Sequence, residues 1–218
     1  NMAEAVSEND AKKFIEYVSE LFQNNPAYIL LDEQVIAYAK IMKYACASDQ
    51  RMTILVNGGP GTGKSVVAMN VFVDLLKTGK NVQFVAPNSS FKSAMIDVLA
   101  WHRVEAKNRL TKIFSGSTKF YEAPPLSYDV LIVDEAHRLK AKGTYMYKGD
   151  SQVEDVIKAS RVNVFFIDDE QMIRPNDEGS MDYVEAVAQK NHSEVIKVHL
   201  NAQFRCSGAD GFVSWVEH

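Results

Sequence analysis

The spacing of apolar and polar positions changes character once along this chain, near residue 50. Before that point apolar positions recur at helical intervals. Phe14, Ile15, Val18, Leu21 and Phe22 share one face, and Asn24, Asn25 and Pro26 then stop the run. A second helical stretch extends from about Asp32, read as its N-cap, to about Cys46. After Arg51, short β-branched runs take over: MTILVN (Met52 to Asn57), NVQFVAP (Asn81 to Pro87), DVLIVD (Asp129 to Asp134), VNVFFID (Val162 to Asp168) and EVIKVHL (Glu194 to Leu200). Continuous apolar runs suit strands that are covered on both faces, as in a parallel sheet. Helical patterns separate them. One runs to about Lys77 with Gly79 where a C′ glycine would end it; others start at Ser90, Gln152 and Met181. Strands alternating with helices predict an α/β fold: a parallel sheet with helices on both faces, preceded by a helical segment. Lys140 to Ser151, rich in Lys, Gly and Tyr, reads as a mobile loop.

Composition narrows the function classes. With 218 residues, 46% hydrophobic and 24% charged, the chain suits one large α/β domain, or one domain with a small appendage. A net charge of -4 gives no bulk attraction to nucleic acid, so any such binding must be local. Two cysteines, Cys46 and Cys206, exclude a disulfide framework and a four-cysteine zinc site, and a reducing, cytoplasmic setting is expected. No run reaches the roughly 20 apolar residues that span a bilayer, so no membrane partner is expected. Asn1-Met2 reads as a scar ahead of a start or an internal cut, and the chain as a piece of a longer one.

The sharpest chemical signal is GGPGTGKS, Gly58 to Ser65, which fits G-x-x-x-x-G-K-[ST] between a strand and a helix. Gly58, Gly59, Gly61, Thr62 and Gly63 let backbone N–H groups wrap phosphate oxygens, where side chains would obstruct them. The helix starting near Lys64 adds the positive end of its dipole. Lys64 reaches the β- and γ-phosphates, and the Ser65 hydroxyl joins a Mg²⁺ shell. ATP and Mg²⁺ are therefore the expected ligands.

In DVLIVDEAH, Asp129 to His137, a buried strand ends in two acids. Asp134 would hold Mg²⁺ with Ser65, and Glu135 would polarise an attacking water, which makes the site hydrolytic. Alternatively both acids cap the next helix. His137 either couples the nucleotide site to a neighbour or packs under the loop.

The order of these motifs resembles superfamily 1 DNA/RNA helicases, and in particular the Schlafen-like bacterial helicase family, from about Leu30 to the C-terminus. The resemblance implies a P-loop NTPase with a RecA-like sheet. FFIDDEQ, Phe165 to Gln171, is similar to the family's G-D-x-x-Q motif: Asp168 and Gln171 align, Ile167 replaces the Gly, and Gln171 would sense the γ-phosphate or the water. LNAQFRC, Leu200 to Cys206, resembles the opening of the second motor domain, with Arg205 as a γ-phosphate charge stabiliser. LLDEQVIAYA, Leu30 to Ala39, resembles the upstream glutamine motif, which makes Gln34 the reader of the adenine edge. FVAPNSSFKSAM, Phe84 to Met95, matches the segment that touches single-stranded nucleic acid; Asn88 and Ser89 donate to phosphates there, or cap a helix.

Between Trp101 and Lys119, Arg103, Lys107, Arg109 and Lys112 interleave with Trp101 and Phe114. Basic and aromatic residues so mixed suit single-stranded DNA or RNA, and equally a solvated helix face over core rings. The expected division is a helical segment over 1–50, a RecA-like ATPase domain over 51–200, and the start of a second motor domain over 201–218. Only 18 residues follow Leu200, so the rest of that second domain is expected to be missing. The expected function is the ATP-hydrolysing core of a nucleic-acid helicase or translocase, weak when isolated. The competing expectation is a nucleotide-gated switch with slow turnover.

Overall fold

The computed structural model describes residues 28–47, 49–87, 110–142, 147–171 and 179–201, together with 13, 16, 18–20, 93, 96 and 97. Its elements follow the change of period in the sequence. Helix α1 (Asp32–Ala47) precedes strand β1 (Met52–Gly58), helix α2 (Lys64–Lys77) and strand β2 (Val82–Val85). Strands β3 (Phe114–Ser115) and β4 (Tyr128–Val133), helix α3 (Gln152–Ala159), strand β5 (Ser160–Ile167), helix α4 (Met181–Lys190) and strand β6 (Glu194–Leu200) complete it.

The six strands form one sheet in the order β3-β2-β4-β5-β1-β6, and every neighbouring pair is parallel. The architecture is the α/β, RecA-like fold of P-loop NTPases. Alternation within the strands splits the core into two layers. Ile54, Val56, Val130, Ile132, Val164 and Phe166 pack on one side with Val67, Val71 and Phe72 of α2 and Ala37 and Ile41 of α1. Leu55, Leu131, Val133, Phe165 and Ile167 point the other way, against Val156 and Ile157 of α3 and Val184 and Ala188 of α4. Covering both faces is what the wholly apolar strand runs require.

Local signals place the helices. Ser151 and Ser180 cap α3 and α4 by accepting hydrogen bonds from the N–H groups of Glu154 (3.3 Å) and Tyr183 (3.2 Å). Helix α2 is closed by Thr78 and Gly79, whose N–H groups donate to Leu75 and Leu76. Helix α1 is pinned to α2: the Tyr38 hydroxyl donates to Asp74 Oδ2 at 2.5 Å, and Asn70 Nδ2 donates to the Tyr28 carbonyl at 3.0 Å. No helix among the described residues is long and apolar enough to cross a membrane.

Three details depart from the sequence expectation. The sheet has a sixth strand, β3, of two residues, too short to leave a periodic trace. The α1 helix starts at Asp32 itself, so the N-cap position is Leu31, whose N–H is satisfied by the Gln34 side chain. The ends of the Lys140–Ser151 segment are tied together rather than free. Ala141 bridges Ser151, Lys142 pairs with Asp150 at 2.8 Å, and Gln152 Oε1 accepts from Lys140 N–H and the Ser117 hydroxyl.

Candidate functional site

Parallel strands deliver their C-terminal ends to one edge of the sheet, and β1, β5 and β4 lie side by side there. The Gly58–Ser65 loop leaves β1, and α2 departs from it. Two of its glycines are dictated by close approach. A Cβ on Gly58 would lie 2.7 Å from Thr62 Oγ1 and 3.0 Å from Leu200 Cβ on β6. Gly63 has φ +83, and a Cβ there would collide with Gln34 Nε2. The loop is further held by Thr62 Oγ1, which donates to the Gly59 carbonyl at 2.9 Å. Gln34, buried on α1, ties the loop from above: its Nε2 donates to the Thr62 carbonyl at 3.0 Å, while its Oε1 accepts from Leu31 N–H at 3.0 Å.

Lys64 folds back over the loop. Its ammonium donates to the Gly58 carbonyl (2.5 Å), the Gly59 carbonyl (2.8 Å) and Asp168 Oδ2 (3.1 Å). Both partners of the ion pair are largely withdrawn from water, with side-chain exposures of 12% and 1%. Asp168 follows β5, and β5 lies between β1 and β4, so the order of strands sets this carboxylate beside the loop lysine. Its Oδ1 accepts from Glu170 N–H at 3.2 Å.

Asp134, at the end of β4, meets the other loop residue. Ser65 Oγ donates to its Oδ2 at 2.7 Å and Glu135 N–H to its Oδ1 at 2.9 Å. No ammonium or guanidinium is bonded to it among the described residues. Burial pushes its carboxyl well above the usual value of 3.8, and this outweighs the opposing hydrogen bonds from Ser65 and Glu135. A buried carboxylate short of positive charge, bonded to a serine hydroxyl beside a phosphate loop, fits a divalent cation. Mg²⁺ keeps several waters and takes few protein ligands, so Ser65 and Asp134 suffice to hold it beside a bound triphosphate. No group of three or more His, Cys, Asp or Glu side chains clusters as a metal site among the described residues.

Glu135 has φ 49 and ψ 42, a left-handed conformation that costs a non-glycine residue about 1 kcal/mol. This turn breaks the strand directly after Asp134. The Glu135 Oε2 lies 3.2 Å from Arg138 Nε, an ion pair without an aligned hydrogen bond. His137 is buried, with neither ring nitrogen hydrogen-bonded among the described residues. Burial, first among its causes, holds its pKa below 6.5. It therefore packs as neutral imidazole. Gln171 ends a short turn, Asp169–Gln171, in which its N–H donates to the Asp168 carbonyl at 3.1 Å.

The structure thus brings Gly58, Gly59, Gly61, Thr62, Gly63, Lys64, Ser65, Gln34, Asp134 and Glu135 to one edge of the sheet, and hangs the Gln171 turn from Asp168. Arg205, Asn88, Ser89, Arg103 and Lys107 lie outside the described residues. The bond between Asp168 and Lys64 has no sequence signature, because it depends on which strand sits between β1 and β4. A second feature was equally silent. At the ends of β2 and β3 a cleft of about 490 Å³ is lined by Pro87, Ser115, Gly116, Thr118 and Lys119 among others. Ser115 Oγ is buried without a partner among the described residues.

A family model described as Schlafen group 3, DNA/RNA helicase domain, matches residues 51–218. No curated protein matches the sequence. Among solved structures, AMPPCP-bound DnaA from Aquifex aeolicus aligns with a TM-score of 0.43 and 14% identity, over 88% of this chain and 56% of that one. The Sulfolobus solfataricus SWI2/SNF2 ATPase core in complex with dsDNA aligns with a TM-score of 0.45 and 13% identity, over 80% of this chain and 46% of that one. The chain spans about half the length of these two structures.

Proposed function

The chain belongs to the Schlafen group 3 DNA/RNA helicase domain family, and on that footing we propose that it binds and hydrolyses ATP as the motor core of a superfamily 1-type helicase or translocase. One observation carries the reading. Ser65 Oγ and Asp134 Oδ2 are 2.7 Å apart beside a glycine loop whose lysine bonds the loop's own Gly58 carbonyl. This is the arrangement a magnesium–triphosphate needs, and a structural turn does not.

The residues then divide the work. Loop amides and Lys64 bind the phosphates. Ser65 and Asp134 orient the cation, which when bound neutralises charge on the leaving phosphates. Glu135 accepts a proton from the attacking water, and Gln171 positions that water or the γ-phosphate. Arg205 stabilises charge that develops on transfer. Gln34, which bonds the loop at the Thr62 carbonyl, is assigned to the adenine edge. Single-stranded DNA or RNA is assigned to the neighbouring ends of β2 and β3. The lining of the cleft there, with Ser115, Thr118 and Lys119 among the described residues, supports an anionic partner, and the chain runs from Pro87 directly into Asn88 and Ser89. A second motor domain, in a longer chain, would close the site.

A second reading is favoured by Lys64 itself, whose three donors are all occupied by protein acceptors. Such saturation also suits a nucleotide-gated switch with slow turnover. The deciding experiment is the ATPase rate of the longest native chain with and without single-stranded DNA or RNA. The motor reading predicts clear stimulation; measurable hydrolysis that neither nucleic acid changes would refute it and leave the switch.

A further inference from the structure

We propose that Asp168 is a latch on Lys64, a positioning residue that holds the lysine against the loop and must release it before phosphate is gripped. The inference rests on the nucleotide reading above. An ammonium has three donors and no more. All three of Lys64 are taken, by the carbonyls of Gly58 and Gly59 and by Asp168 Oδ2. A phosphate oxygen can gain a bond from Nζ only when one of these is given up. Of the three acceptors only Asp168 is charged, and it is 1% exposed, so its bond is the strongest tie on the lysine.

The other side of Asp168 is anchored in the Asp169–Gln171 turn. Its Oδ1 accepts from Glu170 N–H and its carbonyl from Gln171 N–H. Departure of the ammonium leaves a buried carboxylate whose remaining hydrogen bond among the described residues is from the Glu170 amide. The turn carrying Gln171 then feels a change of local charge whenever the loop fills. Asp168 thus weakens binding of the first phosphate and reports its arrival to the residue expected to sense the γ-phosphate.

Asp168→Asn separates this role from a merely structural one. Asparagine keeps an acceptor for Glu170 N–H but presents no carboxylate to Lys64. The empty state loses a charge-assisted bond that the filled state does not contain. Affinity for ATP, measured by calorimetry, should rise on the order of tenfold, the worth of one such bond. Wherever hydrolysis is measurable, KM should fall by a similar factor while kcat holds. Glu135→Gln removes a nearby negative charge that makes no bond to Lys64. An equal gain from that variant would reduce the effect to bulk electrostatics and overturn the latch. Unchanged or weaker binding by folded D168N would overturn it as well. If wild type binds no ATP, the nucleotide reading fails and takes the latch with it; if wild type binds ATP and D168N gains nothing, the latch alone fails. Should D168N not fold, the Lys64 ammonium signal of wild type decides by ¹H–¹⁵N NMR. The latch predicts a slowly exchanging signal in the empty protein that shifts on titration with ATP, and a signal indifferent to ATP would contradict it.

Discussion

Two aspartates end neighbouring strands of the same sheet, both about 1% exposed, and the protein treats them oppositely. Asp168, after β5, has a full positive charge at 3.1 Å. Asp134, after β4, has a hydroxyl and an amide as its hydrogen-bond donors among the described residues, and burial drives its carboxyl pKa upward. On the proposed reading the difference has a meaning: the first pairing must be undone for phosphate to bind, and the second is finished by a cation that arrives with the substrate. Burial alone would have suggested one role for both; their partners separate them.

The largest effect should come from removing the lysine that distinguishes them. Lys64→Ala should abolish ATP binding by calorimetry. It should also destabilise the empty protein by about 3 kcal/mol in denaturant unfolding, because Asp168 is left buried without its cation. The double variant Lys64→Ala/Asp168→Asn should regain most of that stability and none of the binding. Stability lost equally in both variants would mean that packing of the lysine stem, not charge, is at stake.

Next in size is the catalytic carboxylate beside Asp134. Glu135→Gln should keep ATP affinity within a few-fold and lower the hydrolysis rate about 10² to 10⁴-fold, the usual worth of a positioned general base. A quench-flow or coupled assay on the longest native chain reads this directly. Asp134→Asn should act in a milder and opposite sense on the empty fold. Neutralising a carboxyl whose pKa burial has raised should raise unfolding stability slightly. The variant should in turn lose the extra stabilisation that ATP gains from Mg²⁺ in wild type.

The smallest effect concerns His137, which packs next to both strand ends. Its folded pKa lies below 6.5, depressed by burial and by the charges of Arg138 and Lys64 against those of Glu135 and Asp168. The unfolded chain therefore binds the proton first, and stability contributed by neutral His137 is present above about pH 6.5 and declines as pH falls below it. His137→Gln should flatten that part of the stability profile relative to wild type, measured by urea unfolding at pH 7.5 and 5.5. Parallel profiles would mean the ring finds a partner when charged.

The legible part of this molecule was local. The wholly apolar runs announced buried strands, GGPGTGKS announced its own loop, and DVLIVDE placed Asp134 at a strand end, because each signal fits within one element and its next turn. Pairings that cross the chain were silent. The Lys64–Asp168 bond spans 104 positions and arises only because β5 inserts between β1 and β4. Gln34 was legible as part of a motif, but its hold on the Thr62 carbonyl follows from α1 lying on α2. Strand β3 was lost for a simpler reason: two residues carry no period. The Ala141–Ser151 bridge was hidden by a composition that reads as loose.

The central claim is that ATP settles on the loop ahead of Lys64 with its cation held by Ser65 and Asp134. Calorimetric titration of ATP into wild type and Asp134→Asn, each with Mg²⁺ and with EDTA, tests it most directly. The account predicts tighter binding with Mg²⁺ in wild type and no metal dependence in the variant. Equal affinity with and without Mg²⁺ in wild type, or an undiminished metal effect in Asp134→Asn, would contradict it.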